Sequence, residues 1–229
     1  MLSRRDFMQT ATLCGAAAFT NVAAAVTPQT TAQSKPPDAS PQPADRMPEI
    51  PPDKMTDAQK KAAADFQAGR GVPIFGPFVP LLRSPEVMLR AMAMGDYLRY
   101  KSVLPPRLNE FAILITARQW TQQYEWAVHY PIAVKAGVNP EVARAVLEGR
   151  RPSGMAEDEE IVYEFCLELH RNQSVSDATY ARALAKFGEQ GIIDLSGVNG
   201  YYTFLAMVLN VARTPVPKNT PVPLPPFPR

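Results

Sequence analysis

The sequence predicts an all-α fold with proline-rich segments at both ends, and three observations support this prediction. Apolar segments of helical periodicity follow Ser-Pro, Pro-Pro and Asn-Pro pairs, which are typical of helix starts, and several end at glycine. No segment alternates apolar and polar residues between hairpin turns, so we expect no sheet. Most of the 24 prolines lie outside the central part of the chain. We therefore predict a helical domain over residues 53–213.

Length, composition and charge narrow the class of protein. The 229 residues suggest one domain, or at most two small ones. The hydrophobic fraction of 46% and the charged fraction of 20% exclude a wholly disordered chain and a multi-spanning membrane protein. The formal net charge of +2 gives no electrostatic reason to expect a nucleic-acid partner.

Residues 1–25 are predicted to be a twin-arginine signal peptide. Arg4 and Arg5 precede Phe7 and a weakly apolar, alanine-rich stretch that is too short to span a bilayer. Ala23-Ala24-Ala25 then supplies the small residues that a signal peptidase accepts. We expect a periplasmic or secreted protein without a stable membrane anchor. The mature chain would keep a single cysteine, Cys166.

The first predicted helices are defined by their caps. Ser84-Pro85 combines an N-cap with proline at the first helical position, and this helix is expected to reach Tyr100. Pro105-Pro106 starts a second long helix. Thr121 is the expected cap of a third helix, which ends with Gly137 in the C′ position.

The remaining predicted helices follow at short intervals. Asn139-Pro140 starts a short helix that ends at Gly149. Three further helices are expected over about residues 157–171, 176–186 and 192–211. The acidic run at the start of the first of these suits the positive end of a helix dipole.

The two ends are expected to lack a core of their own. Residues 26–52, rich in Pro, Thr, Gln and Ser, are predicted to form a flexible linker. Residues 214–229 have proline at nearly every second position and are predicted to form an extended tail. This tail is either disordered or wraps a neighbouring subunit.

Three candidate catalytic residues occur in one window. Glu125 and His129 are four residues apart, so one face of a helix presents both side chains. Glu110 lies on the preceding helix among apolar residues, where a carboxylate is either solvated or buried with a partner. A carboxylate beside an imidazole raises the imidazole pKa, which makes His129 a candidate general acid.

The stretch from Pro77 to Val138 resembles the carboxymuconolactone decarboxylase family, which includes the AhpD-type alkyl hydroperoxidases. In those peroxidases a glutamate is followed twelve residues later by the first cysteine of a Cys-x-x-Cys pair. A histidine follows the second cysteine by four residues. Here Glu110 and His129 match the glutamate and the histidine, with the nineteen-residue spacing kept. The Tyr-Glu-Trp-x-x-His string that ends at His129 resembles one cysteine-free branch of the family.

The resemblance covers about residues 70–213 and implies an AhpD-like helical domain. Gly200-Tyr201-Tyr202 resembles the closing helix of the family. Gln122 and Glu125 stand at the two cysteine positions, so the chain is not expected to be a thiol peroxidase. Cys166 is expected to be a small core residue.

Other residues near the window have weaker functional interpretations. Arg107 and Arg118 could bind a substrate carboxylate, and Tyr124 and Trp126 could line a pocket. His170, next to the end of a predicted helix, is expected at the surface or as a cap.

The sequence therefore predicts an exported decarboxylase that acts on a small carboxylated lactone or related organic acid without a cofactor. His129 would donate a proton to the substrate. Glu125 would hold and polarise the His129 imidazole, and Glu110 would complete the relay. The resemblance also implies a homo-oligomer, a trimer or hexamer. Two alternatives remain open at this point: a divalent-metal enzyme using the same Glu/Glu/His set, and a non-catalytic oligomeric binding module.

Overall fold

The computed structural model describes residues 44–217 and 224–225, and within this part the fold is all-α, as predicted. The predicted signal peptide and most of the predicted linker lie outside the described residues. A 3-10 turn at Pro52–Lys54 comes before the helices of the described part. These helices are α1 (Asp57–Arg70), α2 (Phe78–Leu81), α3 (Pro85–Tyr100), α4 (Pro106–Gln119), α5 (Gln123–Lys135), α6 (Pro140–Leu147), α7 (Glu157–Asn172) and α8 (Asp177–Ala212).

Helix α1 was not anticipated from the sequence, although it begins at a clear capping box. The Thr56 hydroxyl accepts a hydrogen bond from the Gln59 N–H at 3.3 Å. The Gln59 side chain accepts one from the Thr56 N–H at 3.0 Å. The Thr-x-x-Gln spacing is the signal that would have predicted this start.

The start of α5 corrects one prediction. Thr121 is not the cap: its φ of 46° places it in the turn between α4 and α5. Gln122 is the N-cap instead, and its side-chain oxygen accepts from the N–H groups of Tyr124 at 2.6 Å and Glu125 at 3.3 Å. The longer glutamine side chain reaches back over the first turn and satisfies two N–H groups that lack helical partners. Gly137, at φ 105°, follows α5 in the left-handed conformation expected of a C′ glycine.

Helix α8 joins two helices that the sequence predicts separately. The backbone at Gly188 has φ 68° and ψ 178°, so the 36-residue element is divided by a kink. By length and composition α8 is the described helix that could cross a membrane, with a mean hydropathy of 1.3 over its most apolar window. Half of that window is buried within the fold, as expected for a core helix.

Helix α4 lies at the centre of the fold. It packs against α5, α7 and α8, and every residue from Leu108 to Arg118 is buried. A polar side chain within this stretch must therefore find its partners inside the protein. This constraint applies directly to Glu110.

Residues of the predicted linker and of the predicted tail contact the helical domain. The Arg46 N–H donates to the Ala212 carbonyl at 2.7 Å, and the Arg83 guanidinium donates to the Pro48 carbonyl at 2.8 Å. Leu224 is buried, with 2% of its surface exposed. Ordered structure thus extends beyond the predicted limits of residues 53–213 on both sides.

Replacing Gly95 by alanine is expected to destabilise the protein by about 1–3 kcal/mol, because it overpacks the contact between α3 and α8. A Cβ at Gly95 would lie 2.7 Å from Cζ of Tyr201 and closer still to its hydroxyl. Chemical denaturation measures the loss. Gly200→Ala is the control on α8, because no described atom outside its own helix lies within 4 Å of a Cβ there. An equal loss in both variants would contradict this packing argument.

Candidate active site

The structure brings Glu110, Glu125 and His129 together in the interior. Glu110 Oε2 lies 2.6 Å from His129 Nδ1, and Glu125 Oε2 lies 3.4 Å from His129 Nε2. The three residues are 6%, 3% and 4% exposed, respectively. The imidazole is therefore buried with one carboxylate near each ring nitrogen.

Two helices and one cap determine this arrangement. Glu125 and His129 project from one face of α5, one turn apart, and Glu110 is in the buried part of α4. The Gln122 cap is bound in turn to α8, because its Nε2 donates to Asn210 Oδ1 at 2.9 Å. The first turn of α5, which carries Glu125, is thus held on two sides.

The distances change the expected roles of the two glutamates. The sequence suggested that Glu125 holds the imidazole and that Glu110 completes the relay. The short contact of 2.6 Å belongs to Glu110, and it has the length of a charge-assisted hydrogen bond. Glu110 therefore orients the ring, while Glu125 makes the looser contact.

Arg99 is a member of this cluster that the sequence analysis missed. Its Nη2 donates to Glu110 Oε1 at 3.2 Å, and the Arg99 side chain is only 13% exposed. Arg99 lies in the last turn of α3, and its sequence position alone does not indicate that it faces α4. Glu110 is consequently shared between a guanidinium and an imidazole.

Burial and charge act in opposite directions on this cluster, and charge prevails. Burial alone would raise the pKa of Glu110, but the positive charges of His129 and Arg99 lower it below its usual value. Burial alone would lower the pKa of His129, but the Glu110 carboxylate raises it above its usual value. Both shifts favour the ionic form of the pair, in which the carboxylate is charged and the imidazole is protonated.

Two tyrosines of α8 close one side of the cluster. The Tyr202 ring meets the His129 ring edge-on at 5.1 Å between centroids. Tyr201 packs against Tyr202 in the same manner at 5.3 Å. Burial raises the pKa of both tyrosines above the ordinary phenol value, so both remain neutral at neutral pH.

The two arginines predicted to bind substrate have other contacts. Arg107 forms ion pairs with Asp158 at 2.7 Å and Glu159 at 2.5 Å, at the start of α7. Arg118 donates to the carbonyl of Pro225 at 2.9 Å. Neither set of contacts includes His129 or its two glutamates.

The two aromatic candidates are close to the cluster along α5. Trp126 is 1% exposed and stacks on Tyr130 with 5.9 Å between ring centroids. Burial raises the pKa of Tyr124 to about 12. Two buried polar atoms in this helix, Glu125 Oε1 and Trp126 Nε1, have no hydrogen-bond partner among the described residues. Such atoms are costly in a core and are found at functional sites.

The cluster does not have the geometry of a metal site. Within residues 44–217 and 224–225, no group of three or more His, Cys, Asp or Glu side chains is arranged to hold a metal ion. The reason here is that the two carboxylates lie at opposite nitrogens of one imidazole, so the three groups do not converge on one point.

The described cysteine belongs to the core, and the second histidine is half-buried. Cys166 is buried and accepts a hydrogen bond from Asn199 at 3.2 Å, and burial raises the pKa of its thiol to about 12. His170 corrects an expectation, because it is not a helix cap. Its Nε2 lies 3.2 Å from the hydroxyl of buried Thr116, and burial lowers its pKa.

A small surface cleft of about 10 Å³ lies away from this cluster. It is bounded by α4, the end of α6 and α7, and none of the three candidate catalytic residues lines it. Its charged and aromatic lining residues are Arg118, Arg150, Tyr163 and Arg171.

Comparison with known proteins shows what part of the domain is similar to. Residues 85–157, which include Glu110, Glu125 and His129, match the model of the carboxymuconolactone decarboxylase (CMD) family. No curated protein sequence matches the chain.

Three solved structures share its fold. An AhpD-core, peroxidase-related protein from Ralstonia eutropha JMP134 is 16% identical, with a TM-score of 0.62 over 78% of this chain and 95% of that one. A peroxidase-related protein from Silicibacter sp. TM1040 is 14% identical, with a TM-score of 0.60 over 80% and 96%. The debrominase Bmp8, in complex with 2,3,4-tribromopyrrole, is 11% identical, with a TM-score of 0.58 over 75% and 91%. The described part of the chain thus has an AhpD-like fold, and residues 85–157 match the carboxymuconolactone decarboxylase family model.

Proposed function

We propose that the chain is an acid–base lyase that removes carbon dioxide from a small carboxylated lactone or a related organic acid. The observation that carries this proposal is the buried His129, with Glu110 at one ring nitrogen and Glu125 near the other. Because Glu110 raises the pKa of His129, the protonated form of the imidazole is favoured, which suits general-acid catalysis. The family match supports the class of reaction.

The proposed reaction needs one proton and no oxidant or reductant. The bond between the substrate carbon and its carboxylate breaks, and its electron pair remains on the substrate as a dienolate. His129 donates a proton from Nε2 to carbon, because Nδ1 is engaged with Glu110. Solvent then returns a proton to His129, so the enzyme is unchanged.

The neighbouring groups have distinct proposed roles. Glu110 orients the ring and stabilises the imidazolium before the proton transfer. Glu125 offers its unpartnered Oε1 as an acceptor for a hydroxyl or acid group of the substrate. Arg99 adds a buried positive charge next to Glu110, which favours an anionic substrate over a neutral one.

Thiol chemistry is not part of this proposal. Gln122 and Glu125 occupy the two positions that match the cysteines of the AhpD-type peroxidases. Cys166 is buried with a raised pKa, so its reactive thiolate is scarce at neutral pH.

Carbon dioxide release in D₂O tests the proposal. We expect one member of a panel of carboxylated lactones and related organic acids to release carbon dioxide and to gain one deuterium at a carbon of the resulting dienolate. The Cys166→Ser variant should retain this activity. Absence of release from the whole panel, or release that His129→Gln leaves unchanged, would argue against the proposed lyase.

We also propose export and self-assembly. The twin-arginine motif supports a periplasmic or secreted location, and the family resemblance supports a trimer or hexamer. Both remain predictions, which cell fractionation and light scattering of the mature protein would test.

A further inference from the structure

A short segment of the C-terminal tail is bound at the junction of α4 and α5. The Leu224 N–H donates to Gln123 Oε1 at 2.8 Å, and Gln123 Nε2 donates back to the Leu224 carbonyl. Arg118 Nη1 donates to the carbonyl of the next residue, Pro225, at 2.9 Å. The Leu224 side chain is 2% exposed and is part of the apolar core cluster.

These contacts match the chemistry of a leucine flanked by prolines. Pro223, Pro225 and Pro226 have no N–H, so Leu224 supplies the only backbone donor in this stretch of four residues. The Gln123 amide has one donor and one acceptor group, and it pairs with both backbone groups of Leu224. The flanking prolines restrict the backbone before binding, which lowers the entropy lost on docking.

We propose that Gln123 and Arg118 form a recognition surface for a proline-flanked leucine segment, and that the chain's own tail is its occupant. This inference is independent of the proposed lyase activity, because none of its contacts involves Glu110, Glu125 or His129. It also gives a role to Arg118 other than binding substrate. Since Gln123 is the first residue of α5, the bound tail contacts the helix next to the Gln122 cap.

Hydrogen exchange at Leu224 tests this surface in the full chain. With ¹⁵N-labelled leucine, the Leu224 amide should exchange at least about tenfold more slowly than in a free peptide of residues 218–229, because Gln123 accepts its hydrogen bond. Gln123→Ala should restore the rate of the free peptide. Gln190→Ala is the matched control: it removes a glutamine that donates to the Tyr97 hydroxyl, and it should leave the Leu224 rate unchanged.

Binding in trans provides a second measurement that does not alter the surface. In the full-length Leu224→Ala variant the tail loses its buried side chain, and we expect this variant to bind a peptide of residues 221–229. The same peptide carrying Leu224→Ala should bind at least about tenfold more weakly. Wild-type chain, whose surface is occupied, should also bind the unmodified peptide more weakly than the variant does.

Three results would overturn the proposal. The first is an unprotected Leu224 amide in the wild-type chain. The second is protection that survives Gln123→Ala in a variant whose circular dichroism and melting show that it is folded. The third is peptide binding to the Leu224→Ala variant that is absent or indifferent to the leucine.

Discussion

The substitution His129→Gln is expected to lower turnover of the decarboxylation substrate by roughly 10²–10⁴-fold, the usual effect of losing a general acid. Glu110 keeps its hydrogen bond from Arg99, so the buried carboxylate retains a partner. Glutamine has no titrating group to deliver a proton. Steady-state kinetics on the substrate found by carbon dioxide release measures the loss, and thermal melting checks that the variant is folded.

The chain offers a matched control for this result in its other histidine. His170→Gln removes an imidazole that contacts Thr116 and not the acidic cluster, so turnover should remain within about threefold of wild type. Equal losses in the two variants would indicate a structural role for His129. An active His129→Gln enzyme would exclude it as the proton donor.

The substitution Glu110→Leu is expected to destabilise the protein by about 3–5 kcal/mol, because it removes the carboxylate shared by two buried positive groups. The loss of stability should vary with pH, because the folded state shifts the pKa values of both Glu110 and His129. Glu110 has a lowered pKa in the folded state, so its contribution is present above the ordinary value of 4.5 and is lost as pH falls further. His129 has a raised pKa, so its contribution is complete below 6.5 and is lost as pH rises through the raised value.

The difference in stability between wild type and Glu110→Leu should therefore be largest between pH 4.5 and 6.5. It should decline on the acid side as Glu110 is protonated. It should decline only in part on the alkaline side, because Arg99 keeps its charge. Urea denaturation across this range measures the profile. Glu141→Leu, at an exposed pair with Arg144, should change stability by about 0.5 kcal/mol or less, and an equal change there would contradict a special role for burial.

The helical architecture and the pairing of Glu125 with His129 could be predicted because their sequence signals are local. Proline at the first helical position indicated the starts of α3, α4 and α6. The spacing of Glu125 and His129 placed them on one helical face, and the family resemblance aligned Glu110 with them. Each of these inferences depends on periodicity or on a motif within one stretch of chain.

The rest depended on contacts between distant parts of the chain. Arg99 reaches Glu110 because α3 packs beside α4, and no local pattern contains that information. The bound tail joins Leu224 to Gln123 across about a hundred residues of sequence. The relative distances of the two glutamates from His129 follow from how α5 is oriented on α4, which spacing does not determine.

The burial of every residue from Leu108 to Arg118 in α4 has a consequence for how the candidate site opens. A helix without a solvent-facing stripe cannot separate from its neighbours locally, so its amides should exchange only when the whole domain unfolds. Helix α5 differs, because Pro131 within it leaves one carbonyl without its helical partner. The proposed proton donor His129 thus lies on the helix that is expected to have the lower local stability, and its carboxylate partner Glu110 lies on the helix that is expected to be more protected. Access of substrate to the buried imidazole is therefore expected through displacement of α5, with α4 as the stationary side.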